Sequence, residues 1–197
     1  MTPSLTQVRA WDTQHLTEAA EQWTASANTW EHTFTQYTHH VGSPGGAPWD
    51  GAAAEAAQQR AQSDRIIVVG FVDQLHDAAA AANAGATQIQ AARTAALQAV
   101  ADAQADGFTV GDDFSVSSHD SGSWDYLSAR QAKAELLAQT IRKAVTELVA
   151  TDTRVATHVH DAAAGLDAVK FVESGGVGVT EAPAPEQPPA PPQAGQP

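Results

Sequence analysis

The stretch Gly42-Ser43-Pro44-Gly45-Gly46-Ala47-Pro48-Trp49-Asp50-Gly51 limits what this chain can fold into more than any other. It gathers four glycines and two prolines, while no proline lies between Ser4 and Ser43 or again before Pro183. A breaker cluster between two long proline-free segments predicts the bend of an αα-hairpin. Pro48 stands where a second helix could begin, because its ring presets the backbone and its missing N–H is not needed there. Trp49 is expected to fold back over the hairpin tip, with Gly51 leaving room for it.

The first arm opens on Ser4-Leu5-Thr6-Gln7, a match to the capping box. Its apolar positions then run Leu16, Ala20, Trp23, Ala27, Trp30, Phe34, Tyr37 and Val41, alternating four and three residues apart as in a heptad seam. Leu5, Val8 and Trp11 begin the stripe in a slightly different phase. One helix of roughly 36 residues, ~54 Å long, is the expectation. Core packing is the default for Trp11, Trp23, Trp30, Phe34 and Tyr37; a seam for a partner is the alternative.

The second arm is expected from Pro48 or Trp49 to about Ala105. Within it, Ile66-Ile67-Val68-Val69-Gly70-Phe71-Val72 is strand-like by local preference. Polar helical sequence on both sides, without turn signals, argues for a helix buried on most faces. Asn83-Ala84-Gly85 predicts a kink or short interruption. Asp106-Gly107 closes the arm, with Gly107 ending the helix.

Phe108-Thr109-Val110 and Phe114-Ser115-Val116, alternating around Gly111-Asp112-Asp113, predict a small β-hairpin over 107–117. Its apolar residues would lie on the bundle end. Ser123 can cap a last long helix from Trp124, with a stripe of Leu137, Ile141, Val145, Leu148, Val155, Val159, Ala162, Leu166 and Val169. Thr151 rather than Asp152 should turn inward, since a buried carboxylate needs a partner. The class expected is all-α: an elongated antiparallel bundle of three to four long helices over 1–172. Residues 173–197 are read as a disordered Pro/Ala-rich tail or linker, entered through Gly175-Gly176-Val177-Gly178.

Ten Lys and Arg against 23 Asp and Glu give a net charge of −13, which repels phosphate backbones and anionic lipid and disfavours a nucleic-acid partner. Cysteine is absent, which excludes disulfides and thiolate chemistry. Met1-Thr2-Pro3-Ser4-Leu5 lacks the pattern of a cleaved signal peptide. No apolar run approaches the ~20 residues of a membrane span. The histidines His39 with His40, and His158 with His160, are spaced wrongly for a helical metal pair, so no metal is expected. His119, Asp120, Ser121 and Ser123 are hydrolase residue types but crowd into one polar loop, whereas triads are assembled in space. No catalytic residue and no cofactor is expected.

At Trp49-Asp50-Gly51, a Trp-x-Gly turn between two long helices, the chain resembles the WXG-type helical-hairpin proteins of type VII (ESX) secretion systems. Leu5-Thr6-Gln7-Val8-Arg9-Ala10-Trp11-Asp12 and Ala105-Asp106-Gly107-Phe108-Thr109-Val110 are similar to segments of the N-terminal helical modules of mycobacterial Esp-type or PE/PPE-like proteins. The resemblance covers residues 1 to about 172. It implies a passenger or targeting module sent to the cell envelope or outside by a leaderless route, with Trp49 and Gly51 as its turn motif. The implied partners are the secretion machinery's ATPase and a cytosolic chaperone or small WXG-type protein. Such substrates usually carry Tyr-x-x-x-Asp/Glu; here Val41 follows Tyr37 and Arg130 follows Tyr126 at that spacing. Two alternatives stand beside export: a scaffolding bundle, and the N-terminal module of a larger toxin or enzyme.

Overall fold

The computed structural model describes residues 2–168. Three long helices carry it, with a two-stranded antiparallel hairpin before the last. In order these are α1 (Leu5–Ala10), α2 (Gln14–Gly42), a 3-10 turn (Pro44–Gly46), α3 (Ala52–Ala105), β1 (Thr109–Val110), β2 (Val116–Ser117) and α4 (Trp124–Ala163), which runs into a 3-10 turn at Ala164–Ala168. The expected tail, the break at Gly175–Gly178 and the stripe position Val169 lie outside the described residues.

The capping box at Ser4 forms as expected: its hydroxyl accepts from the Gln7 N–H at 3.3 Å, and the Gln7 side chain accepts from the Ser4 N–H at 2.8 Å. The single first helix does not. The chain leaves helical geometry after Ala10 and restarts at Gln14. Arg93 donates to the carbonyls of Val8 and Arg9 at 3.1 and 2.6 Å, the first shared with the Trp11 N–H at 3.3 Å, so these acceptors need no further turn. Asp12 accepts from the Gln14 N–H at 3.1 Å, and the buried Thr13 hydroxyl accepts from Gln90 at 3.0 Å. The phase slip between Leu5, Val8, Trp11 and the later stripe is this break.

The other end of α1 is held by the β-hairpin. Asp112 accepts the Leu5 N–H on its carbonyl at 2.9 Å, and the Thr6 N–H and hydroxyl on its carboxylate, each at 2.8 Å. The backbone bond from Thr6, and then its hydroxyl, hold the Asp112 carboxyl below its ordinary value. The hairpin itself pairs Thr109 with Ser117 and Val110 with Val116. The second strand therefore starts at Val116, not Phe114. Phe114 takes a positive φ of 61°, which turns its ring into the core, where it is 1% exposed. Gly107, φ 80°, closes α3 with the expected bonds from Gly107 N–H to Gln104 and Phe108 N–H to Ala103.

Helix α3, 54 residues or ~81 Å long, is the spine. It is continuous through Asn83-Ala84-Gly85, against the kink expected there. Gly85 is instead a packing residue: a Cβ on it would collide with Val155 of α4. Along α3 one buried row, Ala54, Ala61, Val68, Val72, Leu75, Ala79, Ala82, Ala86 and Ile89, spans most of its length. Its neighbour is α2, running antiparallel, with Thr13 at Gln90 and Trp30 at Phe71. A second buried row, Ala78, Ala81 and Gly85, begins only where α4 arrives. Two helices, α2 and α4, therefore flank the middle of the spine, and alanine and glycine let them approach closely. The main core joins Leu16 and Ala20 to Ala82, Ile89, Ile141, Val145 and Leu148. Ser123 caps α4, and Thr151 turns inward, 5% exposed.

Candidate interaction surface at the hairpin tip

Beyond the three-helix middle, α2 and the first half of α3 form a two-helix arm. Two helices cannot cover each other's flanks, and the apolar content here exceeds what one contact line buries. Ala27, Val68, Val72 and Leu75 make a small second core, with Trp23, Phe34, Phe71 and Leu166 partly buried around it. Outside it, Ile66 is 69% exposed, Val69 49%, Tyr37 43% and Trp30 37%. The Ile66–Val72 run is helical, as expected, but it is not buried on most faces. It lies on the part of α3 whose second buried row is missing.

The expected aromatic stripe divides. Trp11 and Trp23 pack against the main core. Trp30, Phe34 and Tyr37 join Phe71 in a ladder: Trp30 stacks on Phe34 with ring centres 5.9 Å apart, Phe34 meets Tyr37 edge-on at 5.8 Å, and Trp30 meets Phe71 edge-on at 5.7 Å. On the arm's other side a cleft of about 110 Å³ opens over Phe34, Val68, Val69 and Val72. Glu31, Arg65 and Asp73 stand around it.

The bend differs from its expected form. Helix α3 starts at Ala52, not at Pro48 or Trp49, and it is Pro44 that opens a helical turn. Trp49 stays 37% exposed, beside a shallow recess shared with Pro44, Ala47 and Pro48. Gly51 does not make room for it, since nothing lies within 4 Å of where its Cβ would be. Its φ of 103° and ψ of 175° form a backbone shape that essentially only glycine adopts. The Trp-x-Gly spacing thus needs glycine for conformation rather than for clearance. Trp49 and Gly51 sit at the extreme tip, apart from Trp11 and Trp23.

Sequence reasoning missed Ile66, Val69 and Arg65 as surface residues. Their signal was the run itself, apolar around the whole helix where only one neighbour could lie alongside. The polar loop 119–123 is occupied with structure. Arg130 pairs with the Asp120 carboxylate at 2.6 Å, lies over the Phe108 ring at 3.8 Å and donates to the Asp106 carbonyl at 3.2 Å. Tyr126 donates to Asp120 at 3.2 Å, and the Ser123 hydroxyl is the α4 cap. Among the described residues no three His, Asp or Glu side chains gather as a metal site, and no helix is long and apolar enough to cross a membrane.

The sequence is similar to three mycobacterial proteins: the uncharacterized proteins Mb2102c of Mycobacterium bovis, MT2137 of Mycobacterium tuberculosis and Rv2077c of Mycobacterium tuberculosis. Each is 37% identical over 172 residues, which is 87% of this chain and 52% of the relative. The chain thus spans about half the length of the curated relatives it matches. No family model and no solved structure matches it.

Proposed function

We propose that this chain is a helical protein associated with type VII (ESX) secretion, an exported substrate or the targeting module of one, and that it works through protein contacts rather than catalysis. The observation that carries the reading is the bend. A Trp49-Asp50-Gly51 turn joins two long antiparallel helices, and Gly51 holds a conformation reserved for glycine. The exposed apolar arm next to that bend supports recognition by shape and contact. On this reading the tip is presented to the secretion ATPase, or to a cytosolic chaperone or small WXG-type partner.

The test is export itself. The chain should appear in culture filtrate of a mycobacterial host with a working type VII system and stay inside when the system's ATPase is deleted. Trp49→Phe should keep helicity and melting behaviour but reduce export. Retention in both hosts, or release from both, would sink the reading.

A second reading, the helical module of a longer toxin or enzyme, is favoured by one finding: the relatives are about twice as long as the part they share with this chain. It is compatible with export. Fusing the chain to a reporter separates them, because a targeting module carries its passenger out and a purely structural domain does not.

A further inference from the structure

The cleft side of the distal arm carries a charge pattern that is its own complement. Helix α3 presents Arg65, Val69 and Asp73 on one i, i+4, i+8 row, so the arginine and the aspartate stand about 12 Å apart with the valine midway. All three are exposed, and the exposed Ile66 stands beside them. Phe34, Val68 and Val72 line the cleft at the middle of the row. On α2, Glu31 follows Trp30, whose ring meets Phe71, so a second carboxylate stands toward the Asp73 end of the cleft. One end is therefore basic, the other acidic and the centre apolar. Among the described residues, no ion pair includes Arg65, Glu31 or Asp73. The described part of α4 runs along the other side of the spine: Gly85, where Val155 lies against α3, points about 160° round the helix from Val69.

We propose that this flank pairs with the same flank of a second copy of the chain, antiparallel, about a two-fold axis at Val69. The charge pattern selects that occupant and that direction. Antiparallel pairing sets Val69 against Val69 and brings Arg65 of each copy to Asp73 and Glu31 of the other, so one contact made twice closes the dimer. Parallel pairing would set arginine on arginine and aspartate on aspartate. A row of i, i+4 side chains is also the ridge that interdigitates with its equivalent in the commonest class of helix crossing. Ile66 lies at the edge of the contact. The patch is small beside a standard interface, so pairing is expected at micromolar concentration and a dilute sample is monomeric. The proposal is independent of the secretion reading, since the purified chain would pair whatever its route.

A charge swap in the full chain tests the pairing. Sedimentation of the purified protein should show a monomer–dimer equilibrium. Arg65→Glu alone, and Glu31→Arg with Asp73→Arg in one chain, should each weaken it by roughly tenfold or more, with helicity by circular dichroism unchanged. Mixing the two variants should restore the dimer, because each copy then meets its complement. A wild type that stays monomeric through the micromolar range, a dimer that neither variant weakens, or a mixture that does not recover would each overturn the proposal. The chain has no cysteine, so a single introduced thiol gives a second reading. Val69→Cys should form a disulfide between copies several-fold faster than Ser63→Cys, which points about 120° away round α3. Equal rates would also overturn the proposal.

Discussion

The two ends of the spine helix are built from similar residues and reach opposite outcomes. From Ala78 to Ala103, α3 is flanked by α4 and, in part, by α2; its large apolar side chains Ile89, Leu97 and Val100 are buried or half-buried, and Ile89, Ile141, Val145 and Leu148 are at most 1% exposed. From Ala52 to Phe71 its one long neighbour among the described elements is α2, and Ile66 and Val69 face outward. The difference is not one of hydrophobicity, since the arm holds the most apolar run in the chain. It comes from the offset of the helices. Helix α2 leaves the spine near Gln90 and the described part of α4 leaves it near Gln74, so each end has its own partner and only the middle has both. Burial follows from how many helices pass a point, and the same isoleucine is core in one place and surface in another.

Replacing one isoleucine in each region tests this most directly. Ile141→Ala should cost about 2–5 kcal/mol, the range for emptying a packed core site. Ile66→Ala should stay within roughly 0.5 kcal/mol, as exposed substitutions do. Urea denaturation of both variants measures the gap. Equal losses would mean that the arm is as closed as the middle.

Glycine gives a smaller contrast, with a change of sign. Gly85→Ala pushes a methyl into Val155 and should destabilise by about 1–3 kcal/mol, as overpacking does. Gly70 sits in the same helix with nothing within 4 Å of its Cβ direction. There Gly70→Ala should stabilise by roughly 0.5–1 kcal/mol through helix propensity alone. Thermal melting of the two variants should move in opposite directions.

At the bend, Gly51→Ala meets no steric neighbour but must adopt the glycine-only backbone, a local cost of about 1–3 kcal/mol. The tip can relieve part of this by shifting, so global stability should fall by less than for Gly85→Ala. Amide exchange should quicken around residues 47–55 and not in the middle of the spine. Trp49→Ala should likewise fall short of the roughly 3–5 kcal/mol of a fully buried ring, because Trp49 is 37% exposed.

Features set within four residues could be read from the sequence: the Ser4 box, the Ser123 cap, the Gly107 closure, the bend, and Thr151 in preference to Asp152. What could not be read depends on residues far apart. Nothing near Val8 announces that Arg93 will take its carbonyl, so α1 and α2 read as one helix. Gly85 looked like a breaker because the Val155 methyls that require it lie 70 positions away. The aromatic stripe was read correctly as periodic, but periodicity does not say how long the neighbouring helix is. That length decides that Trp23 packs against the main core while Trp30 joins the aromatic ladder on the arm. The Trp49-Asp50-Gly51 spacing is local and legible; what contacts it is not written in that spacing.

The gentlest probe of the contrast is pH, because the packed end is tied by carboxylates and the arm is held by apolar contact. Asp112 clamps α1, Asp113 braces the hairpin turn through Ser115, and Asp120 holds Arg130. Hydrogen bonds lower all three below the ordinary 3.8: chiefly from Thr6, Ser115 and Ser118 respectively. A carboxyl whose folded value is depressed binds its proton more readily in the unfolded chain. Its contribution is therefore complete above about pH 4 and is lost as pH falls through the folded value. Acidification below that point should accelerate amide exchange in α1 and around 108–118 before it affects Val68 to Leu75. Asp112→Asn should reproduce the α1 part of that loss at neutral pH and leave the hairpin tip untouched. If the arm loosened first on acidification, the two regions would not be held by different forces, and the contrast drawn between them would fail at its physical basis.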